Sequence, residues 1–284
     1  MKAPQAQWTR RSEVRHRSPV RDPLEGVDGD GCIRTGADRS RVPAVYEPVL
    51  EALLAAFAPS APSSLLLYGS VATGQARPPT SDVDVVVLGV PPAATEPVAQ
   101  ELSTRFADLC REVAVGAAQV EDHDGDDDEA HGNRVFLRHY CVLLAGEDVA
   151  ADWRPFPADA RAARGFNGDV ALHLDRWRDA VRTRAGWDTP SSLLGRRLAR
   201  KTLLAAAGLV SVHDSTWTTD RATGARRWGE VDTVVADDLR LLLAWADGDA
   251  TASTTDILRV LAPGRPVQRV AEAFQAEIGL WSVS

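Results

Sequence analysis

The stretch "SSLLLYGSVATGQARPPTSDVDVVVLGV", residues 63–90, constrains the fold more than any other part of the chain. Two apolar runs of strand length, "SSLLLY" and "VDVVVLG", are joined by a loop rich in Gly, Pro and Ser, which predicts two neighbouring strands. Asp82 directly precedes the second run, and Asp84 is the second residue of it. Because burying an unneutralised carboxylate is unfavourable, these acids indicate a site rather than a purely structural strand.

Asp82 and Asp84 are two residues apart, so on an extended strand their side chains point to the same face. Two carboxylates this close repel each other unless a cation lies between them. Mg²⁺ is the natural cation, because it is typically bound by one or two carboxylates together with substrate phosphates. The pair therefore predicts a metal site formed by Asp82 and Asp84.

A phosphate-binding turn is predicted directly after the first strand, at Gly69 and Ser70. Glycine lets the backbone approach a phosphate closely, and a helical turn starting there would direct backbone N–H groups and the Ser70 hydroxyl at an anion. No Gly-Lys-Ser/Thr follows, so this is not a P-loop.

The combination of Gly69-Ser70 and Ser81-Asp82-Val83-Asp84 on a strand–helix–strand unit resembles the signature of the DNA polymerase beta superfamily of nucleotidyltransferases. The resemblance implies an α+β nucleotidyltransferase fold, a small mixed sheet with helices. It also implies Mg²⁺ as the cofactor, and a nucleoside triphosphate, ATP being the best guess, as a substrate whose phosphates contact Gly69, Ser70 and Ser81.

The superfamily has a third carboxylate on the next strand, which completes the metal site or acts as the base. Glu112 opens "REVAVGAAQV", the third predicted strand, and is the best-placed residue for this role. Glu121 and Asp122, at the far end of that strand, are the alternatives. The expected catalytic residues are therefore Asp82, Asp84 and Glu112.

The rest of the chain suggests three segments. Residues 1–42 lack a helical or strand period and are predicted to be a disordered leader. Residues 43–150 form the predicted nucleotidyltransferase domain, in which the acidic tract Glu121 to Asn133 is expected to be a solvated loop that leaves little room for an acceptor pocket. Residues 151–284 have helical apolar periodicity throughout and predict a helical bundle.

The helical half is similar to that of aminoglycoside adenylyltransferases, in which a helical bundle closes over the nucleotide site. Lys201 stands on a helix rich in Leu and Ala, where it either reaches triphosphate oxygens or lies on a solvated helix face. The resemblance implies that a nucleotide is transferred to a hydroxyl of an aminoglycoside-like small molecule. A protein or RNA nucleotidyltransferase and an antitoxin-like regulatory module that binds a helical partner remain alternatives.

Composition limits the kinds of molecule that the chain is expected to bind. The 284 residues have a formal net charge of −8, which argues against general nucleic-acid binding. Three cysteines without metal-type spacing indicate reduced side chains, and no apolar run is long enough for a membrane helix, so a cytoplasmic location is expected. A homodimer that builds the site between two subunits is left open.

Overall fold

The chain is built around a small mixed sheet, seen in a computed structural model that describes residues 22–60, 62–182 and 190–282. The sheet has the strand order β5-β4-β3-β6, and a two-strand hairpin, β1 and β2, precedes it. The bounds are β1 (Gly26–Val27), β2 (Ile33–Arg34), β3 (Ser64–Tyr68), β4 (Val83–Leu88), β5 (Val113–Ala118) and β6 (Val142–Gly146).

Strand β4, which carries the acids, has a neighbouring strand on each side. Strand β3 pairs antiparallel with both β4 and β6, while β4 pairs parallel with β5. Tyr68 is opposite Asp84 on one side, and Ala114 is beside it on the other. The two neighbouring strands predicted from residues 63–90 are confirmed, as is the third strand that begins after Glu112.

Alternation along β4 separates the two faces of the sheet. Val83, Val85 and Val87 are fully buried and pack in one core with residues of α1 and α3. On the opposite face Leu88 packs with Leu137 of α4 in a smaller core. The helices of this part are α1 (Glu47–Phe57), the single turn α2 (Gly69–Ala72), α3 (Thr95–Arg105) and α4 (Asp128–Tyr140).

Helices make up the second half of the chain, as predicted. The long helix α7 packs against α5, α8, α9 and α11, and its Leu198, Leu203 and Leu209 are fully buried. Sheet and helices together confirm the α+β class. The bounds are α5 (Ala160–Asn167), α6 (Val170–Arg182), α7 (Ser191–His213), α8 (Arg221–Val231), α9 (Ala236–Asp247), α10 (Thr254–Leu261) and α11 (Pro266–Glu277).

The two halves meet where α4 crosses α5. A Cβ placed on Gly132 would lie 2.4 Å from the carbonyl carbon of Gly165, and a Cβ on Gly165 would lie 2.6 Å from Cα of Gly132. These helices therefore approach more closely than any side chain would allow. None of the helices in the described ranges is long and apolar enough to cross a membrane.

The predicted disordered leader is only partly outside the described residues. Residues 1–21 lie outside them, but residues 22–42 are ordered, so the prediction is wrong for that part. We call residues 22–42 the strap. Its backbone N–H of Asp38 donates to Ala72 O at 3.1 Å, and Arg41 Nε donates to Thr73 O at 3.1 Å, which ties it to the turn that follows β3.

The other end of the strap is held by a half-buried carboxylate. Glu25 accepts hydrogen bonds from Tyr140 Oη at 2.7 Å, from Thr219 N at 2.7 Å and from Thr219 Oγ1 at 2.6 Å. Tyr140 ends α4, whereas Thr219 precedes α8, so Glu25 joins the two halves of the chain. The strap is ordered because its polar groups form hydrogen bonds with residues distant in the sequence. Composition and periodicity cannot predict such bonds.

The acidic tract also differs from its prediction as a loop. A short 3-10 helix covers Val120–His123, and α4 begins within the tract at Asp128. Asp127 caps that helix by accepting a hydrogen bond from Ala130 N at 2.8 Å. The tract is helical at its end because carboxylates are favourable in the first turn of a helix, next to its unpaired N–H groups.

Candidate active site

The first feature of the site is the common face of Asp82 and Asp84. Asp82 directly precedes β4, and Asp84 is the second residue of β4. The two side chains therefore lie on the same side of the strand. The pairing with β5 continues back to these acids through hydrogen bonds from Val83 N to Glu112 O at 2.9 Å and from Arg111 N to Ser81 O at 3.0 Å. Asp82 thus lies beside the start of β5.

Gly69 and Asp84 are in direct contact. Gly69 has a φ of 73°, a conformation that side chains disfavour, and a Cβ at this position would lie 2.5 Å from Asp84 Oδ2. The turn α2 starts at Gly69 and includes Ser70, whose carbonyl accepts hydrogen bonds from Gln75 N and Ala76 N. The structure therefore brings the predicted phosphate turn against the predicted metal ligand, with no side chain between them.

Ser81 has a structural partner within its own loop. Its hydroxyl accepts a hydrogen bond from Arg77 N at 2.8 Å, and its backbone N–H donates to Arg77 O at 2.9 Å. These bonds close the loop between α2 and β4. A contact of Ser81 with nucleotide stays a prediction.

Glu112 is exposed and precedes β5 immediately. Because Ala114 is beside Asp84 in the register, alternation places Glu112 beside Asp82 on the same face of the sheet. Glu121, one of the two alternatives, lies in the short 3-10 helix beyond the opposite end of β5. The geometry therefore favours Glu112 as the third acid, and its role stays a prediction.

Arg111 is the residue that sequence reasoning missed. Its guanidinium binds both carboxylate oxygens of Asp82, with Nε 2.8 Å from Oδ1 and Nη2 in contact with Oδ2. The hydrogen bond to Asp82, followed by the charges of Asp82, Glu112 and Asp84, raises the pKa of Arg111. The sequence did contain a signal for this role, because Arg111 directly precedes Glu112, a predicted catalytic acid.

The donor set fits a magnesium ion in its chemistry. Asp82, Asp84 and Glu112 offer only carboxylate oxygens, which Mg²⁺ prefers, and the absence of a side chain at Gly69 lets its backbone lie against Asp84. Across residues 22–60, 62–182 and 190–282, no three His, Cys, Asp or Glu side chains are gathered closely enough to hold a metal ion. Both oxygens of Asp82 are instead engaged by Arg111.

A cavity of about 520 Å³ lies on the same face of the sheet as the acids. Val86 and Leu88 form its floor, and Val86 follows Asp84 by two residues, which is roughly 7 Å along a strand. Ala118 of β5 contributes a small side chain beside them. The expectation that little room for a pocket exists between Glu112 and His139 is therefore wrong, because small residues on β5 leave space under α4.

The wall of this cavity is acidic. It is formed by the tract between β5 and α4 and by the first turns of α4 itself. The acidic side chains that line it are Glu121, Asp122, Asp127 and Glu129.

Aromatic side chains connect the cavity to the helical half. Phe136 lines the cavity and contacts Tyr68 edge-on, with ring centroids 5.0 Å apart. Tyr140 packs edge-on against Phe166 of α5 at 5.7 Å, and Trp217 Nε1 donates to Tyr140 Oη at 2.6 Å. Burial, and then the charge of Asp84, raise the pKa of Tyr68, so its hydroxyl stays neutral.

Lys201 is engaged within the helical half. Its Nζ lies 2.5 Å from Asp169 Oδ1 and donates to Phe166 O at 3.2 Å. The side chain is 18% exposed, so it does not stand on a solvated helix face. The structure gives Lys201 protein partners, and a contact with triphosphate stays a prediction.

The sequence of this region matches a known family. A model of the nucleotidyltransferase domain family matches residues 49–123, which include Gly69, Asp82, Asp84 and Glu112. Residues 49–123 are therefore similar to nucleotidyltransferase domains. The superfamily resemblance inferred from the sequence is thereby confirmed. A comparison with curated proteins found no match.

Among solved structures, the chain is similar to spectinomycin adenyltransferase AAD(9) from Enterococcus faecialis, which was determined with ATP and spectinomycin. The TM-score is 0.51 at 9% sequence identity, and the match covers 81% of this chain and 98% of that chain. At this identity the likeness shows a shared fold. Because nearly all of that chain is covered, the shared fold extends beyond residues 49–123 into the helical half.

Proposed function

We propose that this protein is a metal-dependent nucleotidyltransferase that moves a nucleoside monophosphate, AMP from ATP, onto a hydroxyl of a small cationic acceptor. The observation that carries the proposal is the contact between Gly69 and Asp84. It sets a phosphate-binding turn against an acid on the face that also carries Asp82, Glu112 and the 520 Å³ cavity.

The metal is assigned to the acids at the start of β4. Asp82 and Asp84 would hold Mg²⁺, which when bound supplies positive charge opposite the triphosphate. The backbone of the Gly69 turn and the Ser70 hydroxyl would orient the phosphates from the other side. ATP is chosen as the donor because the structurally similar adenyltransferase was solved with ATP.

Glu112 is assigned the role of base. Its carboxylate would take the proton of the acceptor hydroxyl as the oxygen attacks the α-phosphorus. The new bond joins that oxygen to phosphorus, the bond from the α-phosphorus to the bridging oxygen breaks, and pyrophosphate leaves with the electron pair. Glu112 is exposed and lies beside Asp82, so a bound acceptor can reach it.

The acceptor is inferred from the cavity. Its floor of Val86 and Leu88 suits an apolar ring face, and its wall, which includes Glu121 and Glu129, suits amino groups. An amine-bearing sugar or cyclitol has both features. The similar adenyltransferase was solved with spectinomycin, which supports this class without identifying the compound.

The test is incubation of the pure protein with α-labelled ATP and Mg²⁺, together with separate pools of aminoglycosides and spectinomycin, tRNA, and cell protein. Label on a small molecule supports the proposal. Label on protein or RNA would assign the alternatives, and absence of label from every pool would favour a regulatory binding role. Asp82→Asn and Asp84→Asn should each abolish transfer, while Asp249→Asn, at an exposed turn in the helical half, should not.

A further inference from the structure

The ion pair between Arg111 and Asp82 occupies the predicted metal ligand. Two hydrogen bonds from one guanidinium cover both oxygens of Asp82, a geometry that combines charge with direction. The Asp82 side chain is only 16% exposed, whereas that of Arg111 is 46% exposed. The acid is therefore held in place, while the arginine has solvent into which it can move.

The backbone fixes where this arginine stands. Arg111 N donates to Ser81 O at 3.0 Å, and the carbonyl of the next residue, Glu112, accepts from Val83 N at 2.9 Å. These bonds anchor the peptide on both sides of the arginine to the start of β4. Its guanidinium is close enough to Asp84 and Glu112 for their charges also to stabilise its charged form.

Asp82 and Asp84 share one face of β4, so a nearby positive charge stabilises the fold in the absence of metal, because like charges repel. A divalent cation would bind the same two carboxylate oxygens that the guanidinium contacts, and the two cations repel each other at that distance. Binding of one must therefore weaken binding of the other.

We propose that Arg111 is an internal counter-cation that holds Asp82 in the absence of metal and is displaced when a divalent cation binds. The inference deepens the proposed function in one respect, because it rests on Asp82 being a metal ligand. Arg111 is a positioning residue in this scheme. It acts by setting the metal concentration at which the site fills.

The experiment measures binding of Mn²⁺ alone, without nucleotide, by the loss of the free-ion electron paramagnetic resonance signal. Arg111→Gln should bind Mn²⁺ about fivefold more tightly than the wild type, because the competing charge is removed. Arg111→Lys keeps the charge without the two-pronged contact, so its affinity should be intermediate.

Arg227 provides a matched control. It contacts Asp214 in the helical half with the same two-pronged geometry, Nε 2.6 Å from Oδ2 and Nη2 2.9 Å from Oδ1. Arg227→Gln should leave Mn²⁺ affinity unchanged. The double variant Asp82→Asn with Arg111→Gln should lose the tighter binding, which locates the gain at Asp82.

Thermal unfolding adds a readout that does not depend on turnover. In EDTA, Arg111→Gln should melt below the wild type, and Mn²⁺ should raise its melting temperature by more than it raises that of the wild type. If Arg111→Gln does not fold, Arg111→Lys carries the comparison by itself.

The proposed role of Arg111 would be overturned if its variants bound Mn²⁺ as tightly as the wild type or more weakly, or if none of the proteins bound Mn²⁺. Label transfer by the wild type is measured separately, so a failure of the proposed function and a failure of this inference can be told apart.

Discussion

Gly69 contacts the carboxylate of Asp84 so closely that a Cβ at position 69 would lie 2.5 Å from Oδ2. The contact joins the turn after β3 to the acid on β4. It restricts position 69 in two ways, since the left-handed φ of 73° also disfavours a side chain.

Gly69→Ala should therefore abolish nucleotidyl transfer and lower the free energy of unfolding by about 1–3 kcal/mol. Gly264→Ala is the matched control, because Gly264 has a φ of 72° with no atom within 4 Å of an added Cβ. It should show the backbone strain without loss of transfer. Label transfer and urea unfolding measure the two effects, and an active Gly69→Ala variant would contradict the phosphate-turn assignment.

The base is tested by comparing Glu112 with Glu121. Glu112→Gln should reduce kcat about 10²- to 10⁴-fold, since a general base contributes on that scale. Glu121 lines the cavity instead, so Glu121→Gln should change KM for the acceptor more than kcat. Steady-state kinetics with the acceptor found in the labelling experiment measures both. The reverse pattern would move the base to the other end of β5.

The acidic wall predicts a dependence on acceptor charge. Glu129→Gln should raise KM for a cationic acceptor several-fold at low salt and less at high salt, because salt screens the interaction. KM for ATP should stay unchanged in this variant. Glu51→Gln, on the exposed side of α1 across the sheet, is the control. Unchanged acceptor kinetics in Glu129→Gln at low salt would exclude the cavity as the acceptor site.

The strap predicts a large stability effect far from the acids. Glu25→Ala leaves the buried Tyr140 hydroxyl and the Thr219 N–H without their acceptor, so unfolding should become easier by about 2–4 kcal/mol. Glu47→Gln removes an exposed pair with Arg39 and should cost less than about 1 kcal/mol. Urea unfolding compares the two. Equal effects would show that the strap does not join the two halves.

His139 predicts a loss of stability in mild acid. Burial lowers its pKa from 6.5 to about 4, and its Nε2 accepts a hydrogen bond from Phe156 N at 2.9 Å, so the ring is neutral in the folded protein. The unfolded chain takes up this proton near pH 6.5 and the folded chain only near pH 4. The unfolded state therefore binds more protons between these values, and the free energy of unfolding falls as pH falls through that window.

His139→Gln retains an acceptor for Phe156 N and should flatten this pH dependence, as measured by urea unfolding from pH 7 to pH 4. A slope unchanged by His139→Gln would show that other groups account for the acid sensitivity.

The sequence by itself determined the local and periodic features of this protein. The spacing of Asp82 and Asp84 predicted that both acids lie on one face of a strand, because the side-chain period of a strand is two. Gly69 after an apolar run likewise predicted a turn in which the backbone approaches its neighbours closely. Such features depend on neighbours in the chain, so they can be read without the fold.

Tertiary structure decided what depends on partners distant in the sequence. Arg111 reaches Asp82, 29 residues away, and Glu25 meets Thr219, 194 residues away. No period predicts such a contact, because the packing of whole elements brings the partners together. The cavity likewise depends on packing, because its lining joins residues of β4, the end of β5 and α4. The acids at the start of β4 were thus evident from the sequence, whereas the cation that neutralises Asp82 was evident only in the fold.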